Sequence, residues 1–144
     1  MLFYLLERAM RTLRRAGLLA GAVELRIRYD DWKHQGSRRT MPQPTACDKD
    51  AFEIVQELLG QLHRRRVAVR HVGIVLSRLV RADSRARLFE PHVEAHNRRL
   101  SAAVDAIRDR YGHAAIVAGQ SIDRLGRLEQ NDYGFVLRTP SLTK

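Results

Sequence analysis

The stretch LRIRYDDWKHQGSRRTMP, from Leu25 to Pro42, decides the fold because it combines a half-buried strand, a turn and a second basic segment. Around its start, apolar residues alternate with charged residues, and this period of two is typical of a strand with one buried face. The apolar positions are Val23, Leu25, Ile27 and Tyr29, and the charged positions between and after them are Glu24, Arg26, Arg28 and Asp30. The pattern therefore predicts a strand whose exposed face carries two arginines.

The second half of this stretch predicts a turn and another strand. His34-Gln35-Gly36 indicates a turn or a bulge, and residues 37–41 indicate a short strand that contains Arg38 and Arg39. If helices cover the apolar face of the sheet, the opposite face is open, and His71 from a further strand can join the arginines there. An open basic face suits a phosphate backbone, because each phosphate contact releases counterions.

The rest of the chain predicts helices packed on one face of a small sheet. Helices are predicted over residues 2–16, 46–63 and 92–111, and further strands over residues 67–79 and 114–118. This order predicts an α+β fold with an antiparallel or mixed sheet and a basic open face. We expect one domain over residues 1–118, with a core of 1–80 and an extension of 81–118. Residues 119–144 are expected to form an extended or partly disordered basic tail.

Local details of the helices are also predicted. Gly17 is expected to end the first helix, and Thr45 with Asp48 resembles a capping box at the start of the second. The third helix is expected to turn its apolar residues inward; these are Val93, Leu100, Val104, Ile107 and Tyr111.

The composition of the 144-residue chain limits its partners and its compartment. Lysine and arginine number 26 against 16 acidic residues, a formal net charge of +10, so nucleic acid is the first expected partner and an anionic membrane surface the second. Cys47 is the single cysteine, which excludes an internal disulfide and suits a reducing compartment. No apolar run is long enough for a membrane span, and Glu7 and Arg8 interrupt a signal-like start. We expect a cytoplasmic, nucleoid-associated protein with no membrane partner.

Several segments follow one another in an order that is known from a protein family. They are LLERAMRTLRRAGLLAGAVELRIRYDDW (residues 5–32), SRRTMPQPT (37–45), a leucine-rich helix, and VAVRHVGIVLSRLV (67–80). Together they resemble the C-terminal little finger domain of Y-family translesion DNA polymerases. The later segments RLFE and LSAAVDAIRDRYGHAAI resemble the extension of longer bacterial members.

The resemblance implies a domain that binds primer–template duplex DNA, mostly through backbone phosphates. The residues that inherit this DNA-contacting role are Arg26, Arg28, Arg38, Arg39, Arg70 and His71. The family's metal-binding carboxylates and its Mg²⁺ lie in a palm domain, so the resemblance implies no catalytic residue, metal or cofactor in this chain. Many members have a basic residue where this sequence has Val75, so the resemblance implies weaker DNA binding at this position. An open sheet edge would also allow self-association with another copy.

The loop over residues 84–90 contains part of a sliding-clamp peptide. In the family this peptide has the form Gln-x-x-Leu-Phe; here Leu88 and Phe89 match its hydrophobic plug, and Arg85 replaces the glutamine. Either the loop binds a sliding clamp, or Leu88 and Phe89 pin the loop to the core. The alternative function is therefore a protein-interaction module that recruits a clamp or a repair partner through this loop or the tail.

The remaining signals each have two interpretations. Four arginines of the first helix either extend the DNA footprint or form a solvated face; they are Arg8, Arg11, Arg14 and Arg15. Trp32 and Tyr29 either stack on a base or pack at a strand end. His92 and His96 have a metal-binding spacing, but without a third ligand two exposed histidines are the better interpretation. No group of acid, base and nucleophile favours a free-standing enzyme.

Overall fold

A three-stranded antiparallel sheet forms the centre of the structure, with the strand order β2-β1-β3. The elements are α1 (Leu2–Arg15), β1 (Leu18–Tyr29), β2 (His34–Thr45), α2 (Asp48–Leu62), β3 (Val69–Arg81), α3 (His92–Tyr111), β4 (Gln130–Asn131) and β5 (Gly134–Phe135). The computed structural model describes residues 2–82, 92–112, 115–119, 130–131 and 134–135. This arrangement confirms the predicted α+β fold with an antiparallel sheet.

The core lies between one face of the sheet and the helices α1 and α2. On β1 the alternate residues Val23, Leu25, Ile27 and Tyr29 are at most 1% exposed, as their period of two predicts. Leu6, Met10 and Leu13 of α1, together with Ala51, Val55 and Leu58 of α2, pack into the same cluster. Val72, Ile74 and Leu76 of β3 pack against it from the sheet. The helices therefore cover the apolar face of the sheet, as predicted.

The turn from α1 into the sheet depends on a glycine. Gly17 has a φ of +65°, and its N–H donates to the carbonyl of Arg14 at 2.9 Å. This left-handed backbone is readily adopted by glycine and ends the helix, which confirms the predicted C-terminal cap. The chain then enters β1 at Leu18, five residues before the alternating pattern becomes visible at Val23.

Strand β2 is longer at both ends than the strand predicted over residues 37–41. At its start, His34, Gln35 and Gly36 pair with β1 instead of forming the predicted turn or bulge. At its end, Pro42 and Pro44 have no N–H for a strand ladder. The strand nevertheless continues to Thr45 through an irregularity: Ala22 pairs with Thr40, while Ala20 pairs with Thr45. An edge strand tolerates the prolines because one side of its backbone needs no partner strand.

The start of α2 differs from the predicted capping box. The residue before the helix is Cys47, and its side chain makes no capping hydrogen bond. Thr45 lies two residues before the capping position; its hydroxyl accepts a hydrogen bond from the N–H of Cys47 at 3.0 Å and donates to the carboxylate of Asp50 at 3.1 Å. The predicted capping box was therefore wrong.

Helix α3 has the predicted bounds, but it is rotated from the predicted orientation; of the residues expected to face inward, Val104 is half-buried. Leu100, Ile107 and Tyr111 were expected to point inward, yet they are 55%, 38% and 65% exposed. The inward residue is Arg108, which is 2% exposed and donates to the Glu7 carboxylate of α1 at 2.9 Å. Polar groups on α1 therefore orient this helix, and its larger apolar side chains are left on the outside.

The short strand predicted between residues 114 and 118 is absent from residues 115–118, the part of it that the structure describes. There the carbonyl of Ile116 accepts two hydrogen bonds from the Arg108 guanidinium, at 2.8 and 3.1 Å. A side chain, rather than a neighbouring strand, thus satisfies this backbone group. Two-residue strands β4 and β5 pair with each other in the region predicted to be a tail.

Among the described residues, no helix has the length and apolar character of a membrane span.

Candidate nucleic-acid interface

The side of the sheet that faces away from α1 and α2 is defined by the strand register. Residues directly opposite each other in an antiparallel pair project to the same side. Arg26 of β1 lies opposite Gly36 and Gly73, and Arg28 lies opposite His34 and His71. We call this side the open face; its positions are Glu24, Arg26, Arg28, His34, Gly36, Arg38, Thr40, His71, Gly73, Val75 and Ser77.

Four of the six residues predicted to contact DNA share the open face. They are Arg26, Arg28, Arg38 and His71. Arg26 has a glycine as its neighbour on each flanking strand, so no side chain stands directly beside it, and its side chain is 62% exposed. Val75 lies opposite Glu24 on this face, so the position where many family members are basic is apolar here.

One carboxylate moderates the charge of the open face. Glu24 accepts a hydrogen bond from Nε of Arg26 at 2.5 Å, and this bond raises the pKa of the Arg26 guanidinium. Arg26 therefore stays charged, but part of that charge is already balanced within the fold.

Arg28 and Arg38 have no such partner. Within the described residues, neither guanidinium makes an ion pair with a carboxylate, and Nε of Arg28 is buried without a hydrogen-bond acceptor. A guanidinium without a carboxylate keeps its donors available for a phosphate, which it can bind through two parallel hydrogen bonds. Among the three open-face arginines of β1 and β2, these two are therefore the ones without a carboxylate partner in the described residues.

The two other predicted residues lie elsewhere. Arg39 is opposite Val23, on the helix-covered side of the sheet, and pairs with Glu57 of α2. Arg70 lies at a register shift in β3, between the Arg28–His71 and Tyr29–Val69 pairs. Its guanidinium is 3.8 Å from Asp30 and lies over the ring of Trp32, at the turn end of the sheet.

Arg78, which the sequence did not indicate as a DNA-contacting residue, also lies on the open face. Its Nη1 donates to the hydroxyl of Thr40 at 3.3 Å, so the side chain reaches across β1 from β3 to β2. Arg78 has a φ of +52°, and a Cβ placed on Gly21 would lie 2.9 Å from its carbonyl oxygen. Because this backbone departs from regular strand geometry, alternation along the sequence could not place the side chain.

The solvated-face interpretation was wrong for Arg11 and Arg14, whose side chains are 15% and 14% exposed, whereas the Arg15 side chain is 60% exposed, as that interpretation expected. Arg11 and Arg15 both pair with Asp109 of α3. Arg14 is bonded to Asp105 at 2.6 Å and to Asp48 at 2.7 Å. Burial alone would lower the pKa of Arg14, but the hydrogen bonds that Arg14 donates to the two carboxylates, together with their negative charges, outweigh it and raise the pKa. These arginines therefore hold helices together.

The predicted clamp peptide lies outside the described residues, including Arg85, Leu88 and Phe89. Clamp binding therefore stays a prediction, as does the possible pinning of this loop to the core. Self-association through an edge strand also stays a prediction; in the described sheet β2 and β3 are the outer strands. The exposed side chain of His96 agrees with the interpretation of a surface histidine.

Comparison with known proteins identifies the family. The model of the impB/mucB/samB family C-terminal domain matches residues 1–88, which include α1, α2 and the whole three-stranded sheet. The chain belongs to this family of Y-family polymerase C-terminal domains. The resemblance inferred from the sequence is thereby confirmed, and the little finger fold it implied agrees with the observed sheet and helices.

The relatives of this little finger domain are named DNA polymerase IV. The protein of Caulobacter vibrioides is 30% identical over 121 residues, which are 84% of this chain and 30% of the relative. That of Pelotomaculum thermopropionicum is 33% identical over 127 residues, 88% of this chain and 31% of the relative. That of Moorella thermoacetica is 31% identical over 127 residues, with 88% and 32% covered. The chain thus spans about a third of the length of these curated relatives.

Proposed function

We propose that the open face binds duplex DNA through its phosphate backbone, with little dependence on base sequence. The observation that supports this most directly is the grouping of Arg26, Arg28 and Arg38 on the side of the sheet that faces away from α1 and α2. Two of these three guanidiniums have no carboxylate partner among the described residues. Contacts to phosphate position a protein on DNA but do not read base edges, so the binding should be tolerant of sequence.

The spacing of these arginines suits an extended polyanion. Arg26 and Arg28 are two residues apart on one strand, about 7 Å. Arg38 lies on the adjacent strand opposite Glu24, two positions along the sheet from Arg26 and four from Arg28. Because the strands are held by the core packing of β1, the side chains start from fixed backbone positions. Arg78 extends the same basic surface across the sheet to Thr40.

On this proposal the domain contributes DNA binding to a translesion polymerase and no chemistry of its own. The name DNA polymerase IV of the relatives supports the polymerase assignment, and the match to their C-terminal domain supports the restricted role. Catalytic carboxylates and Mg²⁺ would belong to another part of such a polymerase, and this domain would need no cofactor.

Salt dependence tests the proposal. The affinity for a short, labelled blunt duplex should be measured by fluorescence anisotropy between about 50 and about 200 mM salt, with two unrelated base sequences. Contacts from three arginines predict a linear plot of log affinity against log salt with a slope of about −3. The two sequences should bind within about twofold of each other.

A charge-matched control separates a specific face from general basicity. The triple variant R26A/R28A/R38A removes three charges from the open face and should flatten the slope by about 3. The variant K49A/R99A/R110A removes the same charge from exposed positions on α2 and α3. It should keep nearly the whole slope. Equal losses in both variants, or a flat plot for the unaltered protein, would contradict the proposal.

A further inference from the structure

Trp32 is held out from the sheet by the turn between β1 and β2. It is the only tryptophan of the chain, and it is 60% exposed. The backbone N–H of Trp32 donates to the carbonyl of Tyr29 at 3.1 Å, and the backbone N–H of Tyr29 donates to the carbonyl of Lys33 at 3.0 Å. Trp32 has a φ of +64°, a left-handed conformation that is unusual for a bulky residue. The turn therefore fixes an exposed indole in a strained backbone position, which does not fit simple packing at a strand end.

Two arginines from different strands lie against this indole. The guanidinium carbon of Arg28 is 5.3 Å from the ring centroid, and that of Arg70 is 4.5 Å from it. Arg28 belongs to the open face, so the indole adjoins the surface proposed to bind phosphates. Cation–π contacts at these distances restrict the ring. Tyr29, by contrast, is fully buried and bonds the carbonyl of Leu62 at 2.9 Å, so it is a core residue.

The charge around the indole remains favourable for an anion despite two nearby carboxylates. Asp31 is bonded to Arg65 at 2.6 and 3.2 Å, and this hydrogen bonding lowers the pKa of Asp31. Asp30 is 3.8 Å from Arg70. Among the described residues, Arg28 and Arg70 lie against the ring and Arg65 and Lys33 lie near Asp31, so these four cations outnumber the two carboxylates.

An exposed aromatic ring beside cations is the arrangement that stacks on a nucleobase while the cations approach its phosphate. In a duplex the faces of each base are covered by its neighbours, whereas an unpaired base has a face to offer. We propose that Trp32, Arg28 and Arg70 form a binding site for an unpaired nucleotide of DNA that adjoins the duplex on the open face. This inference rests on the proposed function, because the open face has to hold the duplex beside it.

The test uses three DNA probes that share one duplex. The first is blunt, the second carries a single-stranded thymidine overhang, and the third carries an overhang of abasic nucleotides with the same phosphates. Each overhang is placed at the 5′ end in one set and at the 3′ end in another. The thymidine overhang should bind about fivefold tighter than the abasic one in at least one polarity, since stacking of one base contributes this much or more. It should also quench the fluorescence of the single tryptophan.

Variants of the ring complete the test. Trp32→Ala should abolish the preference for thymidine over abasic overhangs and keep the affinity for the blunt duplex, whereas Trp32→Phe should retain part of the preference. Tyr111→Ala is the matched control, because Tyr111 is 65% exposed with Arg110 at 5.3 Å from its ring but lies on α3. It should leave all three affinities unchanged.

The results separate this site from the proposed function. Equal binding of thymidine and abasic overhangs, or an undiminished preference in Trp32→Ala, overturns the stacking site even where the blunt duplex binds well. Failure of the blunt duplex to bind overturns the proposed function itself.

Discussion

Arginines occupy two regions of this domain in opposite electrostatic settings. On the open face Arg28 and Arg38 have no carboxylate partner among the described residues. Between α1 and α3 the corresponding cations are matched with acids; we call this the α1–α3 contact, formed by Glu7, Arg11, Arg14, Arg15, Asp105, Arg108 and Asp109. The same residue type is thus available to a ligand in one region and occupied by the fold in the other.

The difference arises from what each arginine faces after folding. Arg108 is almost fully buried, and a buried charge is strongly unfavourable unless an opposite charge and hydrogen bonds compensate it. Glu7 provides that charge, and burial raises the pKa of this carboxyl although Arg108 donates to it. On the open face Arg26 and Arg38 are exposed and need no such compensation, while Arg28 is half-buried, with its Nε away from water. Net charge alone therefore does not say which arginines bind DNA.

The largest effect is expected at the buried pair of the α1–α3 contact. Arg108→Met removes the cation and leaves the Glu7 carboxylate buried without its partner, and it also removes both donors to the Ile116 carbonyl. We expect the free energy of unfolding to fall by about 3–5 kcal/mol. Urea unfolding followed by circular dichroism measures this change. DNA affinity, measured where the variant is still folded, should be unchanged.

Removing both charges of this pair provides the control. The double variant Glu7→Leu/Arg108→Met leaves no uncompensated charge in the contact, so it should recover most of the lost stability. A loss below about 1 kcal/mol in Arg108→Met would contradict a structural role for the pair. So would a fall in DNA affinity as large as that of an open-face variant.

The sequence predicted the sheet well because its signals are local. Alternation along β1 and the glycine after α1 are each decided by neighbouring residues, and the structure has them as expected. The orientation of α3 could not be predicted in this way. It depends on pairs such as Glu7 with Arg108, which are 101 positions apart, and such pairs overrode the outward-facing apolar residues Leu100 and Ile107.

The candidate site was predicted in part for the same reason. Alternation placed Arg26 and Arg28 on one side of β1, but it could not give the register of β2. Arg38 and Arg39 looked equivalent in the sequence, and only the observed pairing separates their faces. Trp32 and Arg78 depend on left-handed backbone conformations, for which their residue types give no signal.

These adjacent arginines of β2 offer a second, smaller test within one strand. Arg38→Ala removes an unpaired guanidinium from the open face, so duplex affinity should fall about three- to tenfold and the salt slope should decrease by about 1. Arg39→Ala removes the same charge from a side chain that is paired with Glu57 on the other side of the sheet. It should change the affinity by less than about twofold. Anisotropy titrations over a salt series distinguish the two variants.

The outcome of this pair decides whether the face or the charge matters. Equal losses in the two variants would mean that duplex binding responds to net charge alone. A larger loss in Arg39→Ala would place the DNA on the wrong side of the sheet.

The smallest effect is expected from replacing Glu24, which pairs with an arginine of the open face as the acids of the α1–α3 contact do. Glu24 bonds Arg26 on this face, so part of that guanidinium is occupied before DNA arrives. Glu24→Gln removes the negative charge from beside the phosphates and releases Arg26. Since an exposed pair of this kind contributes at most about 1 kcal/mol, we expect duplex affinity to rise about two- to fivefold at low salt.

Glu57→Gln is the matched control, because it removes the partner of Arg39 from the helix side, and it should leave the affinity within about twofold. If Glu24→Gln weakened binding, Glu24 would be positioning Arg26 for its phosphate rather than competing with that phosphate. The carboxylate on the open face would then have a structural role, like the carboxylates of the α1–α3 contact.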